Sequence, residues 1–100
     1  ARLQLENAQD APQIREARRN LNEALRYEPE MASGWRLLAT AEGRLSNDGG
    51  ASLALAEEAL LRGKRKSALT HAQQALKRLA EGSPGWFRAQ DIESSAGKEE

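Results

Sequence analysis

The chain holds 100 residues, enough for one small domain, with fifteen basic residues against fifteen acidic ones. That balance gives no global attraction to nucleic acid or to an anionic membrane surface. There is no cysteine, which excludes disulfides and thiol chemistry but leaves the compartment open, and no apolar run approaches the roughly 20 residues of a membrane span.

Ala, Leu, Glu, Arg and Gln are abundant, which favours helix. Val is absent and Ile occurs only at Ile14 and Ile92, so strands have almost no support. The sequence opens Ala1-Arg2-Leu3-Gln4-Leu5 without Met or a signal peptide. It is expected to be a fragment of a larger protein, whose signal, if that protein is secreted, lies upstream.

A first helix is expected to run to about Gln9, with Leu3, Leu5 and Ala8 as its apolar residues. Asp10-Ala11-Pro12-Gln13 reads as a restart, with Asp10 as cap and Pro12 in the first turn. The second helix reaches about Glu28. Its stripe is Ile14, Ala17, Leu21, Ala24 and Leu25, and Pro29 ends it. A third helix runs from Met31 or Ala32 to about Leu45, with Trp35, Leu38 and Leu45 on one side and Ala39 and Ala41 small enough for close approach. Asn47 or Asp48 caps a fourth helix, striped by Leu53, Ala56, Ala59 and Leu60, which ends at Arg62 with Gly63 as a left-handed terminator. A fifth, from about Lys64 to Ala80, buries Ala68, Ala72, Ala75, Leu76 and Leu79. Ser83 caps and Pro84 opens a sixth, carrying Trp86, Phe87 and Ile92. From Ser94 a frayed tail is expected, disordered over residues 96–100.

Two segments match. Ala17, Leu21, Ala24, Leu25 and Gly34-Trp35 recur as Ala68, Ala72, Ala75, Leu76 and Gly85-Trp86, 51 residues further on. This resembles the tetratricopeptide repeat (TPR), in which a tryptophan-bearing helix pairs with one marked by small residues and a terminal Pro. Trp35 and Leu38 fit the first half, with Ala39 in the glycine place and Glu42 in the tyrosine place. Ala17, Leu21, Ala24 and Pro29 fit the second half of the preceding unit. In the weaker unit from Gly49 to Gly82, Ser52 takes the tryptophan place. The separation is about one and a half repeats, so one extra helix, either Met31–Leu45 or Gly50–Arg62, stands outside strict alternation. The expected fold is all-α: an antiparallel, TPR-like helical solenoid over residues 1–95, of about two irregular repeats with flanking helices.

Gly34-Trp35-Arg36-Leu37-Leu38-Ala39, the loop with Asp48-Gly49, Ala56-Glu57-Glu58-Ala59-Leu60-Leu61-Arg62-Gly63, and Gly82-Ser83-Pro84-Gly85-Trp86-Phe87-Arg88-Ala89-Gln90-Asp91-Ile92 carry a closer resemblance. Over Ala11 to Ile92 the chain resembles the C-terminal TPR domain of bacterial periplasmic zinc metalloproteases related to the CAAX prenyl proteases. Glu42, where that family tends to have an aromatic, is a departure. The resemblance implies a non-catalytic, protein-binding domain that follows an H-E-x-x-H protease domain in the same polypeptide. It also implies a periplasmic location, a role in protein quality control, and docking of substrates or envelope-assembly partners. Zinc would belong to the parent protease domain; no cofactor, metal ligand or catalytic residue is expected in this segment. The alternative is a free-standing TPR scaffold or adaptor unconnected to an enzyme. An H-E-x-x-H motif upstream discriminates the two.

His71 is the only histidine, and a zinc protease needs two on one helix turn plus a third ligand. It reads as a surface or groove-edge residue. Lys64-Arg65-Lys66 could meet an acidic partner or phosphate, but without interleaved aromatics it reads as solvated surface. Trp35 and Trp86 read as packing residues, and the carboxylates Asp91 and Glu93, or Glu57 and Glu58, as solvated charge. The TPR pattern places Ser33, Arg36 and Thr40 on the inner face of one helix and Leu53, Glu57 and Leu60 on that of another. These six are the candidates for a peptide groove, with Arg36 able to clamp a carboxylate.

Overall fold

The computed structural model describes the backbone of residues 2–98 and the side chains of residues 12–97. Among these residues the chain forms five α-helices and no strand. They are α1 (Arg2–Tyr27), α2 (Ala32–Arg44), α3 (Asp48–Leu61), α4 (Arg65–Arg78) and α5 (Pro84–Lys98). The last four begin where the sequence signals place them. Asn47 Oδ1 accepts the Gly50 N–H at 3.1 Å and caps α3. Ser83 Oγ accepts the Trp86 N–H at 3.2 Å at the head of α5. Gly63 and Gly82 carry φ of +77° and +88°, the left-handed turn that ends a helix without a Cβ penalty.

Two expectations are overturned. The helix to Gln9 and the one after Pro12 are a single helix, α1. Pro12 removes one backbone donor and crowds the preceding turn, but hydrogen-bonded helix on both sides carries α1 through it. The expected Leu3, Leu5 and Ala8 stripe and the Asp10 cap concern side chains outside the described residues. At the other end, α5 passes through Ser94 to Lys98. Ala96 is buried against Ala56, Ala59, Ala68, Ala72 and Ile92, and that contact holds residues 96–98 in the helix. Residues 99–100 lie outside the described ones.

Each helix packs on its neighbour in the chain, and α5 also returns to α3. The connections, residues 28–31, 45–47, 62–64 and 79–83, are short and turn each helix back on the one before. The core has two parts. Where α3, α4 and α5 meet it is built of small residues, with Ala56, Ala68, Ala72 and Ala75 fully buried and Ile92 the one large side chain completely enclosed. Alanine lets helix backbones approach closely at low side-chain entropy cost. The second part gathers Leu25, Leu38, Ala39 and Ala54, with Leu21, Met31, Trp35 and Leu55 packed against it. Trp35 donates its Nε1–H to the Pro29 carbonyl at 2.8 Å, fixing the turn between α1 and α2. Trp86 is half-buried and meets Phe87 edge-on, ring centroids 5.1 Å apart.

A Cβ at Gly63 would meet nothing within 4 Å, so Gly63→Ala isolates the cost of its backbone angle. Chemical denaturation should show a loss of about 1–2 kcal/mol. An unchanged midpoint would mean that the turn does not depend on the left-handed residue.

Candidate functional site

Among the described residues three glutamates are buried with their charges paired: Glu42, Glu57 and Glu58. An unpaired buried carboxylate is costly, so each should bind a cation or a strong donor. Glu42 Oε1 accepts from Arg18 of α1 and from Asn47 Nδ2, both at 3.0 Å. Asn47 therefore caps α3 and holds the end of α2 at once. Glu57 takes two bonds from Arg88 of α5, at 2.6 and 2.8 Å. Glu58 takes Arg62 Nε at 2.9 Å and Arg36 Nη1 at 3.3 Å. Glu57 and Glu58 are thus not the solvated charges suggested by their adjacency. Neighbours on a helix point about 100° apart, and here both directions are covered, one by α5 and the other by α2.

Burial pushes the Glu58 carboxyl up, but the hydrogen bonds and charges of Arg62 and Arg36 outweigh it and hold the group below its ordinary value. The two bonds that Arg88 donates to Glu57 raise its guanidinium against the opposing effect of burial, with further support from the charges of Glu57 and Asp91. Ser52 is also buried, and its Oγ accepts from Arg78 of α4 at 3.1 Å.

The six groove candidates separate. Ser33, Arg36 and Thr40 lie exposed on α2. Thr40 Oγ1 donates to the Arg36 carbonyl at 3.3 Å, and the Arg36 side chain reaches across to Glu58. Leu53 and Leu60 are half-buried against the alanine core, Leu53 in contact range of α5 at Gly85. Glu57 is enclosed on the α5 side by Arg88. The structure does not bring the α3 trio and the α2 trio together on one open face.

Two other concavities stand out. Between α1 and α2 lies an open, mostly apolar groove of about 550 Å³, lined chiefly by Ile14, Ala17, Leu21, Ala24, Leu37 and Ala41, with Thr40 and Arg44 at its edge. The α1 stripe has the periodicity read from the sequence, yet only Leu25 of it is buried. Leu37, which falls off the Trp35–Leu38 stripe, is 58% exposed. On α2, α3 and α4, a polar pocket of about 300 Å³ is lined by Arg36, Glu58, Arg62, Lys64, Ser67 and His71 among others. The sequence reading missed this grouping. Its only local trace is the four-residue spacing of Glu58 and Arg62. Among the described residues no group of three or more His, Cys, Asp or Glu could hold a metal ion, and no helix is long and apolar enough to cross a membrane. No family model, curated protein or solved structure matches the chain.

A carboxyl whose folded pKa is lowered adds stability that is complete above its ordinary value, 4.5 for Glu58, and that fades as pH falls through the lowered folded value. The melting temperature of Glu58→Gln should therefore be below that of the native chain at neutral pH, with the gap narrowing as pH is taken below about 4.5. A gap independent of pH would remove the ion pairs as its source.

Proposed function

We propose that this chain is a non-catalytic, TPR-like protein-interaction domain. It docks polypeptide substrates or envelope-assembly partners for a zinc-dependent protease domain that precedes it in the same periplasmic polypeptide. The protease, zinc and periplasm parts rest on the sequence resemblance. The interaction part rests on one structural observation, the groove between α1 and α2.

Ile14, Leu21 and Leu37 line that groove, and among the described residues no third helix covers them. Fully burying a leucine-sized side chain is worth about 1.5–3 kcal/mol, so the groove offers a partner an apolar reward that the chain itself leaves unused. Helix-lined grooves of this kind accept an apolar helix or extended segment, with side-chain positions giving selectivity. The solenoid belongs to the same proposal. It is supported by the chain-order packing and by the return of α5 to α3, as first helices of successive repeats meet. Among the described residues α1 makes no such return to α3, which fits one helix standing outside the alternation.

Leu37 is exposed, so Leu37→Glu leaves the core intact. In the parent polypeptide, the variant should cleave an unfolded protein such as casein roughly tenfold more slowly, the effect of losing one buried leucine contact. Cleavage of a short peptide, which needs no docking, should be unchanged. Equal casein cleavage by both proteins would remove the docking role. A polypeptide with no H-E-x-x-H upstream would replace the protease assignment with the free-standing adaptor.

A further inference from the structure

The polar pocket on α2, α3 and α4 shares no residue with the apolar groove and has a different chemistry. Its charged walls are Arg36, Arg62 and Lys64 against a single carboxylate, Glu58, with His71 beside them. Glu58 is already engaged: one oxygen accepts from Arg36 and the other from Arg62. Each arginine spends one donor there, and the guanidinium group offers five. The pairing therefore fixes both cations in place and leaves a surplus of positive charge. Ser67 adds a hydroxyl from the first turn of α4, a helix whose N-terminus has no side-chain cap. The oriented first-turn amides add to a positive field at that end. His71, one turn further along α4, lines the same space, and its buried Nδ1 has no hydrogen-bond partner among the described residues. Buried polar atoms are rarely left in that state, and an ordered water or a bound group can complete them.

We infer that this pocket binds a phosphate monoester. A carboxylate brings one negative charge and would leave the site positive. A phosphate monoester carries about −1.5 to −2 near neutral pH, with three strong acceptor oxygens. It matches three cations set against one anion, and its oxygens can take hydrogen bonds from Lys64, Ser67, His71 and the unspent guanidinium donors. At about 300 Å³ the pocket has room for the phosphate and a small organic group. The same phosphate chemistry is offered by a soluble ester and by a phospholipid headgroup. This site does not depend on the protease assignment or on the apolar groove.

His71 is the only histidine in the chain, so its ring carbon protons give one set of NMR signals that report on the pocket directly. The chain is titrated with glycerol 3-phosphate at constant pH and ionic strength, then with acetate and with chloride. A saturable movement of the His71 signals with the phosphate ester alone supports the site. Lys64→Gln should weaken that response by about tenfold, the scale of one charge-assisted hydrogen bond, while Lys77→Gln, outside the pocket, should leave it unchanged. Co-sedimentation with phosphatidylcholine vesicles, with and without phosphatidic acid, separates the two sources. Phosphatidic-acid-dependent sedimentation lost in Lys64→Gln assigns the phosphate to a lipid, and its absence beside a positive titration assigns it to a soluble ester. Still signals under the ester, an equal response to acetate or chloride, or an unaltered response in Lys64→Gln would overturn the inference. Circular dichroism melting of each variant guards against loss of fold being read as loss of binding.

Discussion

The burial of α3 at the centre of the molecule depends on pairing the adjacent carboxylates of Glu57 and Glu58. α3 touches α2, α4 and α5, whereas α1, among the described residues, touches α2 alone. The two acids share that central position by facing in different directions: Glu57 reaches Arg88 on α5, and Glu58 reaches Arg36 on α2 and Arg62 at its own C-terminal end. The carboxyl ends are enclosed while the arginines keep roughly half their side-chain surface in water. This division matters energetically. A surface pair adds under about 1 kcal/mol, but an enclosed carboxylate stripped of its partner faces much of the penalty of a buried charge. The arginines therefore act mainly by making the burial of α3 tolerable, and the apolar contacts supply the net stabilisation.

The alanine core and these ion pairs depend on each other. Close approach at Ala56, Ala68, Ala72 and Ala75 brings the helices near enough to enclose side chains as long as glutamate. Small residues also bury little apolar area each, about 25 cal/mol per Å², so this core draws its stability from many short contacts rather than a few large ones. Ile92 is the exception. It fills the space between α3, α4 and α5 that alanines leave, and Ala96 one turn later extends the same contact and keeps the end of α5 helical.

The same economy leaves the molecule asymmetric. Toward α5 the helices are closed on one another, while toward α1 an apolar stripe faces solvent across the groove from Leu37. The polar pocket occupies the middle, where α2 and α4 diverge on either side of Glu58 and Arg62. A protein surface that presents an apolar groove and a separate cationic pocket offers two chemically distinct kinds of contact. That separation is the physical basis for assigning them different ligands.

Helix boundaries were legible in the sequence because they are set locally. Asn47 needs only the Gly50 amide, Ser83 only the Trp86 amide, and Gly63 only its own backbone freedom, all within a few residues. The stripes of α2, α3 and α4 were legible for the same reason: a 3.6-residue period is a property of one helix. Pro12 was misread as a boundary because a local preference against continuing a helix was outweighed by the helix on either side. What the sequence did not determine was which faces would be covered. Ile14, Ala17, Leu21 and Ala24 have the spacing of a buried stripe and remain open. Glu57 and Glu58 have the look of surface charge and are enclosed. Of the arginines that enclose Glu57 and Glu58, only Arg62 is local; Arg36 and Arg88 lie 22 and 31 residues away. No local pattern encodes a contact at that range; only the packing of α3 between its neighbours fixes it.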